Sequence, residues 1–191
     1  MSGVLPAVVL TVAGFFSGSV LFAELLVRWR KKDIRQFGDG NPGAVNAFKA
    51  AGAVVGIVAL VLDFLKGAVP VALGYWLWGV SGWLLVPLLL APLLGHVFSP
   101  WSGFRGGKGI AVTFGIWTGL TLWEAPTLMG VGLLLGKFVF KFKNDAFSVL
   151  LALNLLLGYA ALRYPGEAVL LSAILVTVIV LWRHRRELSS R

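Results

Sequence analysis

The sequence predicts an all-α integral membrane protein, a bundle of seven transmembrane helices with the N-terminus outside and the C-terminus in the cytoplasm. Three observations carry that reading. The chain is 58% hydrophobic and 13% charged over 191 residues, with a mean hydropathy of +0.88. Soluble domains run near half apolar and about 25% charged. The apolar residues gather in blocks close to the length a helix needs to cross a bilayer. The basic residues gather on one set of connecting segments.

The apolar segments run at roughly 3–27, 50–78, 83–99, 109–123, 125–140, 146–162 and 166–182. The fourth and fifth are short, which suits tilted or partly re-entrant helices whose backbone is covered by protein. The first lacks a basic start and runs into Arg28, so it reads as a span and not as a cleavable signal peptide. The loop after it holds Arg28, Arg30, Lys31, Lys32, Arg35 and Lys49. The loop after the third segment holds Arg105 and Lys108, the loop after the fifth Lys137, Lys141 and Lys143, and the tail Arg183, Arg185, Arg186 and Arg191. Of the 17 basic residues only Arg163 faces the other side and only Lys66 lies within a span. By the positive-inside rule this requires an odd number of crossings. Tyr75, Trp76, Trp78, Trp83, Trp123, Tyr159 and Tyr164 fall near the outer ends, as an interfacial aromatic belt does. The net charge of +9 thus reads as topology and anionic-lipid contact, and nucleic acid is not expected as a partner.

Loops are short and no internal repeat or linker is visible, so 1–191 reads as a single domain. Small-residue spacings at Gly14/Gly18, Gly52/Gly56, Gly115/Gly119 and Gly132/Gly136 read as close helix–helix contacts. The absence of cysteine excludes disulfides, thiolate catalysis and Cys-metal sites. No metal or cofactor is expected.

Two polar, glycine-dense stretches interrupt the oily chain on the same face. Gly38 to Asn46 reads Gly-Asp-Gly-Asn-Pro-Gly-Ala-Val-Asn, and Gly103 to Gly109 reads Gly-Phe-Arg-Gly-Gly-Lys-Gly. Backbone N–H groups around glycines, a helix N-terminus and nearby cations together suit a phosphate-bearing ligand. The first stretch matches G-x-G-x-x-G, but no strand precedes it, so a dinucleotide fold is not implied. It reads instead as a tight turn feeding the second helix, with Asn46 and Lys49 one helical step apart. The second lacks the Ser or Thr that follows the lysine of a Walker A loop, so an ATPase is not expected. Lys108 among Gly106, Gly107 and Gly109 still permits close approach to an oxyanion. His96 and His184 each read either as structural hydrogen-bonding residues or as functional ones. Asp63 and Lys66, three apart inside a span, read as an intramembrane pair, structural or functional. Lys143, Asn144, Asp145 and Ser148 either cap the sixth helix or line the site.

With these motifs in order, the chain resembles the bacterial acyl-phosphate:glycerol-3-phosphate acyltransferases over nearly its whole length. The resemblance is carried by Ser17-Gly18-Ser19, Lys32-Asp33-Ile34-Arg35, the Gly-x-Gly-Asn-Pro-Gly-Ala-x-Asn stretch and Asp63-x-x-Lys66-Gly67. It continues through Gly95-His96-x-Phe98-x-Pro100, Phe104-Arg105-Gly106-Gly107-Lys108-Gly109 and Arg183-His184-Arg185. It implies a seven-helix inner-membrane enzyme that moves a fatty acyl group from acyl-phosphate to glycerol-3-phosphate, with no cofactor and no obligate protein partner. On that resemblance Asp39, Asn46, Lys108 and His184 are the catalytic positions. Gly40, Asn41, Gly43, Lys49, Arg105, Gly106, Gly107 and Ser148 are the substrate-binding ones. The site would face the cytoplasm.

The chain departs from the family pattern at Lys49, where the family usually has arginine, and at three further places. Asp39 stands where the family has serine, Val45 where it has threonine, and Glu187 where it has asparagine. A hydroxyl can donate to phosphate, whereas a carboxylate only accepts and repels it. Asp39 must therefore point away, pair with a cation such as Lys49, or act as a base. An acyltransferase using another donor or acceptor, and a transporter of lipid or phosphate metabolites, are the other readings the sequence allows.

Overall fold

A computed structural model describes residues 3–164 and 166–189, so the tail cation Arg191 lies outside the described residues. Among them the chain forms α-helices joined by short turns and no strand. In chain order they are α1 (Val4–Ser19), α2 (Phe22–Trp29), α3 (Ala44–Ala51), α4 (Ala53–Ala72), α5 (Leu85–Val97), α6 (Ile110–Thr121), α7 (Glu124–Leu134), α8 (Asp145–Arg163) and α9 (Glu167–Ser189). Five stretches are long and apolar enough to cross a membrane: Val4–Trp29, Ala53–Leu77, Gly82–Ser102, Asp145–Arg163 and Glu167–Ser189. All seven apolar segments are helical. The fourth and fifth are too short to count as spans by themselves: α6 has 12 residues, and α7 has 11 before it loosens into a π-turn at Leu135–Val139. At 1.5 Å per residue, a helix of that length covers about 18 Å of a hydrocarbon layer roughly 30 Å thick.

The first segment is a broken helix, not the continuous one expected over 3–27. At Val20 the backbone turns extended, and the carbonyl there is taken by the Lys66 ammonium at 2.6 Å. Ser99 Oγ donates to Ser19 O at 2.6 Å, and Trp101 Nε1 donates to Ser19 Oγ at 2.7 Å. The break is possible because side chains satisfy the backbone groups it releases. A second difference follows Asn46. The polar turn does not feed the long helix directly but opens the short helix α3, which ends at Gly52 with φ +88 before α4 begins. Ala47 and Ala50 of α3 pack with Ala23 and Val27 of α2 and with Val55 and Ala59 of α4.

Three of the four glycine pairs sit at helix crossings. A Cβ on Gly18 would strike the Pro92 backbone, one on Gly115 the Phe64 carbonyl, and one on Gly132 the Ala152 backbone. These contacts draw together α1 with α5, α4 with α6, and α7 with α8. Gly52/Gly56 does not follow: Gly52 is the hinge just described, and Gly56 lies under the Phe48 ring of α3. The main core, including Leu88, Leu93, Ile116, Trp117 and Leu153, lies between α5, α6 and α8, while side chains such as Val54, Leu60 and Val178 point outward.

Candidate active site

The first polar loop is tied by its own side chains. Asn46 is buried, and its Nδ2 donates to Asp39 Oδ1 at 2.7 Å and to Asn41 O at 2.9 Å. The Asn41 N–H donates to the same Asp39 oxygen at 3.2 Å. Gly38 and Gly40 have φ of +57 and +73, and a Cβ on Gly38 would strike Asn46 Oδ1. Gly43 is extended and leaves the first turn of α3 without a side-chain cap, with Asn41 Nδ2 lying beside it. The uncapped N–H groups of that turn can meet an anion.

The second loop is folded back on the end of α5. The N–H groups of Gly106 and Gly107 donate to Val97 O and His96 O, both at 3.1 Å. Their carbonyls accept from Arg183, Nη2 to Gly106 and Nε to Gly107, at 2.5 and 3.1 Å. These two glycines therefore do not cradle an anion through their N–H groups. They are required because a Cβ on Gly106 would strike the His96 carbonyl, and one on Gly107 the His96 ring. Behind the loop, Lys66 joins Asp63 at 2.7 Å and His96 Nδ1 at 2.9 Å. Lys66 donates in that bond, so the His96 proton sits on Nε2, against Gly107. His96 thus serves as a buried link between the broken first helix and the glycine loop.

Lys108 projects from this braced loop to where three segments meet. Its Nζ lies 2.5 Å from Asp39 Oδ2 in the first loop and 2.5 Å from Glu187 Oε1 near the end of α9. Burial alone would raise the Asp39 carboxyl, but the bonds from Lys108, Asn46 and the Asn41 N–H outweigh it and hold the group below its ordinary value. Burial would lower Lys108, and its two carboxylates outweigh that, leaving it raised. His184, one turn before Glu187, is buried with Nδ1 bonded to Val180 O at 2.8 Å. A carbonyl only accepts, so Nδ1 holds the proton and Nε2 is the nitrogen able to take one up.

The family model described as Glycerol-3-phosphate acyltransferase matches residues 8–190. The chain belongs to the glycerol-3-phosphate acyltransferase family. It is 36% identical over 188 residues to Glycerol-3-phosphate acyltransferase 1 of Thermotoga maritima, covering 91% of this chain and 92% of that one. It is 30% identical over 185 residues to the Glycerol-3-phosphate acyltransferase of Aquifex aeolicus, covering 97% and 95%. Its fold matches the crystal structure of PlsY (YgiH), an integral membrane glycerol 3-phosphate acyltransferase. For the glycerol 3-phosphate form the TM-score is 0.87 at 28% identity, covering 95% of this chain and 90% of that one. For the lysphosphatidic acid form it is 0.84 at 26% identity, covering 95% and 89%.

In this acyltransferase the structure joins Asp39, Gly40, Asn41, Gly43, Asn46, Gly106, Gly107 and Lys108 into one region, with His184 at its edge. It does not join three others by any bond among the described residues. Lys49 is exposed with its ammonium over Gly38, so the cation on Asp39 is Lys108. Arg105 is exposed, and only its backbone is held: the carbonyl accepts from Arg35 Nη2 at 2.9 Å and the N–H donates to Ser102 O at 3.1 Å. Ser148 is buried one turn inside α8 against Gly136. Asn144 caps α8 through Ala146 N at 3.0 Å and reaches Glu187 O at 2.5 Å, so it caps and also ties the third loop to the tail. Sequence reasoning missed Arg183, whose position in a run of tail cations hid its role as the clamp on the glycine loop.

Proposed function

We infer that this chain is a membrane-embedded enzyme of phospholipid synthesis that acylates glycerol-3-phosphate. One observation carries the reading: its fold corresponds, over 95% of its length, to an acyltransferase seen in both a glycerol 3-phosphate form and a lysphosphatidic acid form. We propose further that the donor is acyl-phosphate and the acceptor atom the 1-hydroxyl, giving lysophosphatidic acid. The whole chain acts as one domain in the bacterial inner membrane, crossing it seven times with the N-terminus outside. The site faces the cytoplasm, and no obligate protein partner or cofactor is needed. The grouping of the glycine loops with the basic segments supports that orientation.

Acyl-phosphate is a mixed anhydride and needs no covalent enzyme intermediate. The hydroxyl oxygen adds to the acyl carbon, the C–O bond to phosphate breaks, and the departing phosphate takes the hydroxyl proton. This suits a chain without cysteine, in which neither His96 nor His184 begins a His-x4-Asp arrangement. The protein then supplies position and positive charge. In our reading, the α3 first turn with Gly40, Asn41 and Gly43 seats the donor phosphate, while Lys49 and Arg105 add positive charge at the mouth. Lys108, presented by Gly106 and Gly107, binds the acceptor phosphate, and His184 Nε2 accepts a hydrogen bond from the acceptor. Asn46 fixes the loop, and Asp39 is held ionised by its three donors, which makes it a poor base. Ser148 serves through the packing of α8.

Purified protein supplied with acyl-phosphate or acyl-CoA, against a panel of phosphorylated polyols, tests this reading. The expected result is lysophosphatidic acid from acyl-phosphate and glycerol-3-phosphate only. Turnover with acyl-CoA, or preference for another acceptor, would replace the donor or acceptor assignment. Transport without acylation would replace the enzyme reading.

A further inference from the structure

We propose that Asp39 and Glu187 form a carboxylate clamp on Lys108 that competes with the acceptor's phosphate and so sets how tightly the acceptor binds. The proposal rests on Lys108 being the acceptor-phosphate ligand. Two of the three N–H donors of the ammonium point at carboxylates 2.5 Å away, which leaves one for an incoming anion. The Lys108 ammonium is thus already matched by two carboxylates where a phosphate monoester near its second ionisation must bind.

The two carboxylates are not equivalent. Asp39 Oδ1 is anchored by Asn46 Nδ2 at 2.7 Å and the Asn41 N–H at 3.2 Å, so its other oxygen is held toward Lys108 by the loop itself. Glu187 comes from α9, one turn after His184. Its own carbonyl is tied to the third loop by Asn144 Nδ2 at 2.5 Å, so this carboxylate reaches Lys108 from outside the phosphate loop. Acceptor phosphate therefore reaches Lys108 through its remaining donor, against the charge of both carboxylates. Both residues stand where the resembled family has neutral Ser and Asn, so the clamp is a property of this chain and predicts a weaker hold on acceptor than the neutral residues would give.

The test is direct binding of glycerol-3-phosphate, by calorimetry on the purified protein in detergent, to wild type, Glu187→Gln, Asp39→Asn and Asp39→Ser. The isosteric amides keep shape and remove charge, so at least one variant keeps the loop folded. Each neutral variant is expected to bind roughly threefold to fivefold more tightly, the scale of a partly exposed ion pair. Most of that gain should vanish in a Lys108→Ala background. Unchanged or weaker binding in the neutral variants, or a gain that persists without Lys108, overturns the clamp. Wild-type acylation of glycerol-3-phosphate is scored separately: its absence would remove the functional reading, whereas the affinity differences judge the clamp alone.

Discussion

Lys108 and Asp39 keep their charges over a wide pH range because each faces the other. The Asp39 carboxyl is held below its ordinary value of 3.8, so what its ionised form contributes is complete above that value and is lost only as pH falls through the lowered one. The Lys108 ammonium is raised above 10.5, so its contribution is complete below that value and is lost as pH climbs through the raised one. Between about pH 5 and pH 9 neither group changes charge. An inflection in the glycerol-3-phosphate rate profile near pH 6 then belongs to the acceptor phosphate, and Asp39→Asn should leave its midpoint in place. A midpoint that moves by about a unit would show that Asp39 titrates during turnover. Sequence alone left Asp39 to point away, to pair with a cation such as Lys49, or to act as a base. It did not show which cation, because the partner is 69 residues away and the distance between loops is set by helix packing.

At the scale of elements, the glycine loop is held by groups that look topogenic or structural in the sequence. Arg183 donates to two carbonyls of the loop, and a charged donor to a neutral acceptor contributes on the order of 1.5–3 kcal/mol. Arg183→Ala should cost about 2 kcal/mol of stability and, by loosening Lys108, lower kcat/KM for glycerol-3-phosphate by about tenfold to a hundredfold. Thermal unfolding alongside steady-state rates separates the two effects. Unchanged kcat/KM would show that the loop holds its shape without the clamp. The small-residue spacings made three helix crossings legible in advance. The break at Val20 was not, since it depends on Lys66 and Ser99 arriving from distant segments to satisfy its backbone. The hinge at Gly52 was hidden for a related reason: an apolar run continues through it, and only the positive φ reveals the turn.

At the scale of the molecule, hydropathy indicated the helical membrane class and, among the described residues, five stretches long enough to span, because a bilayer punishes unpaired backbone and charge wherever they fall. It gave less on the short α6 and α7, whose cover is supplied by neighbouring helices and not by their own length. The orientation is open to direct measurement, since the chain has no cysteine and every label can be engineered. Cysteines at Arg105 and Asn144 should label from the cytoplasmic side and those at Ser81 and Arg163 from the outside. Outward labelling at Arg105 would reverse the topology and move the site to the wrong face for its substrates. The central claim is that two loops and the tail form one phosphate site around Lys108. The most direct test is the steady-state rate of glycerol-3-phosphate acylation by Lys108→Ala at fixed acyl-phosphate, with Lys108→Arg beside it. The account predicts a fall in kcat/KM of about a hundredfold or more for alanine in a protein that still folds, and poor rescue by the bulkier planar guanidinium. A rate within about threefold of wild type for Lys108→Ala would contradict it.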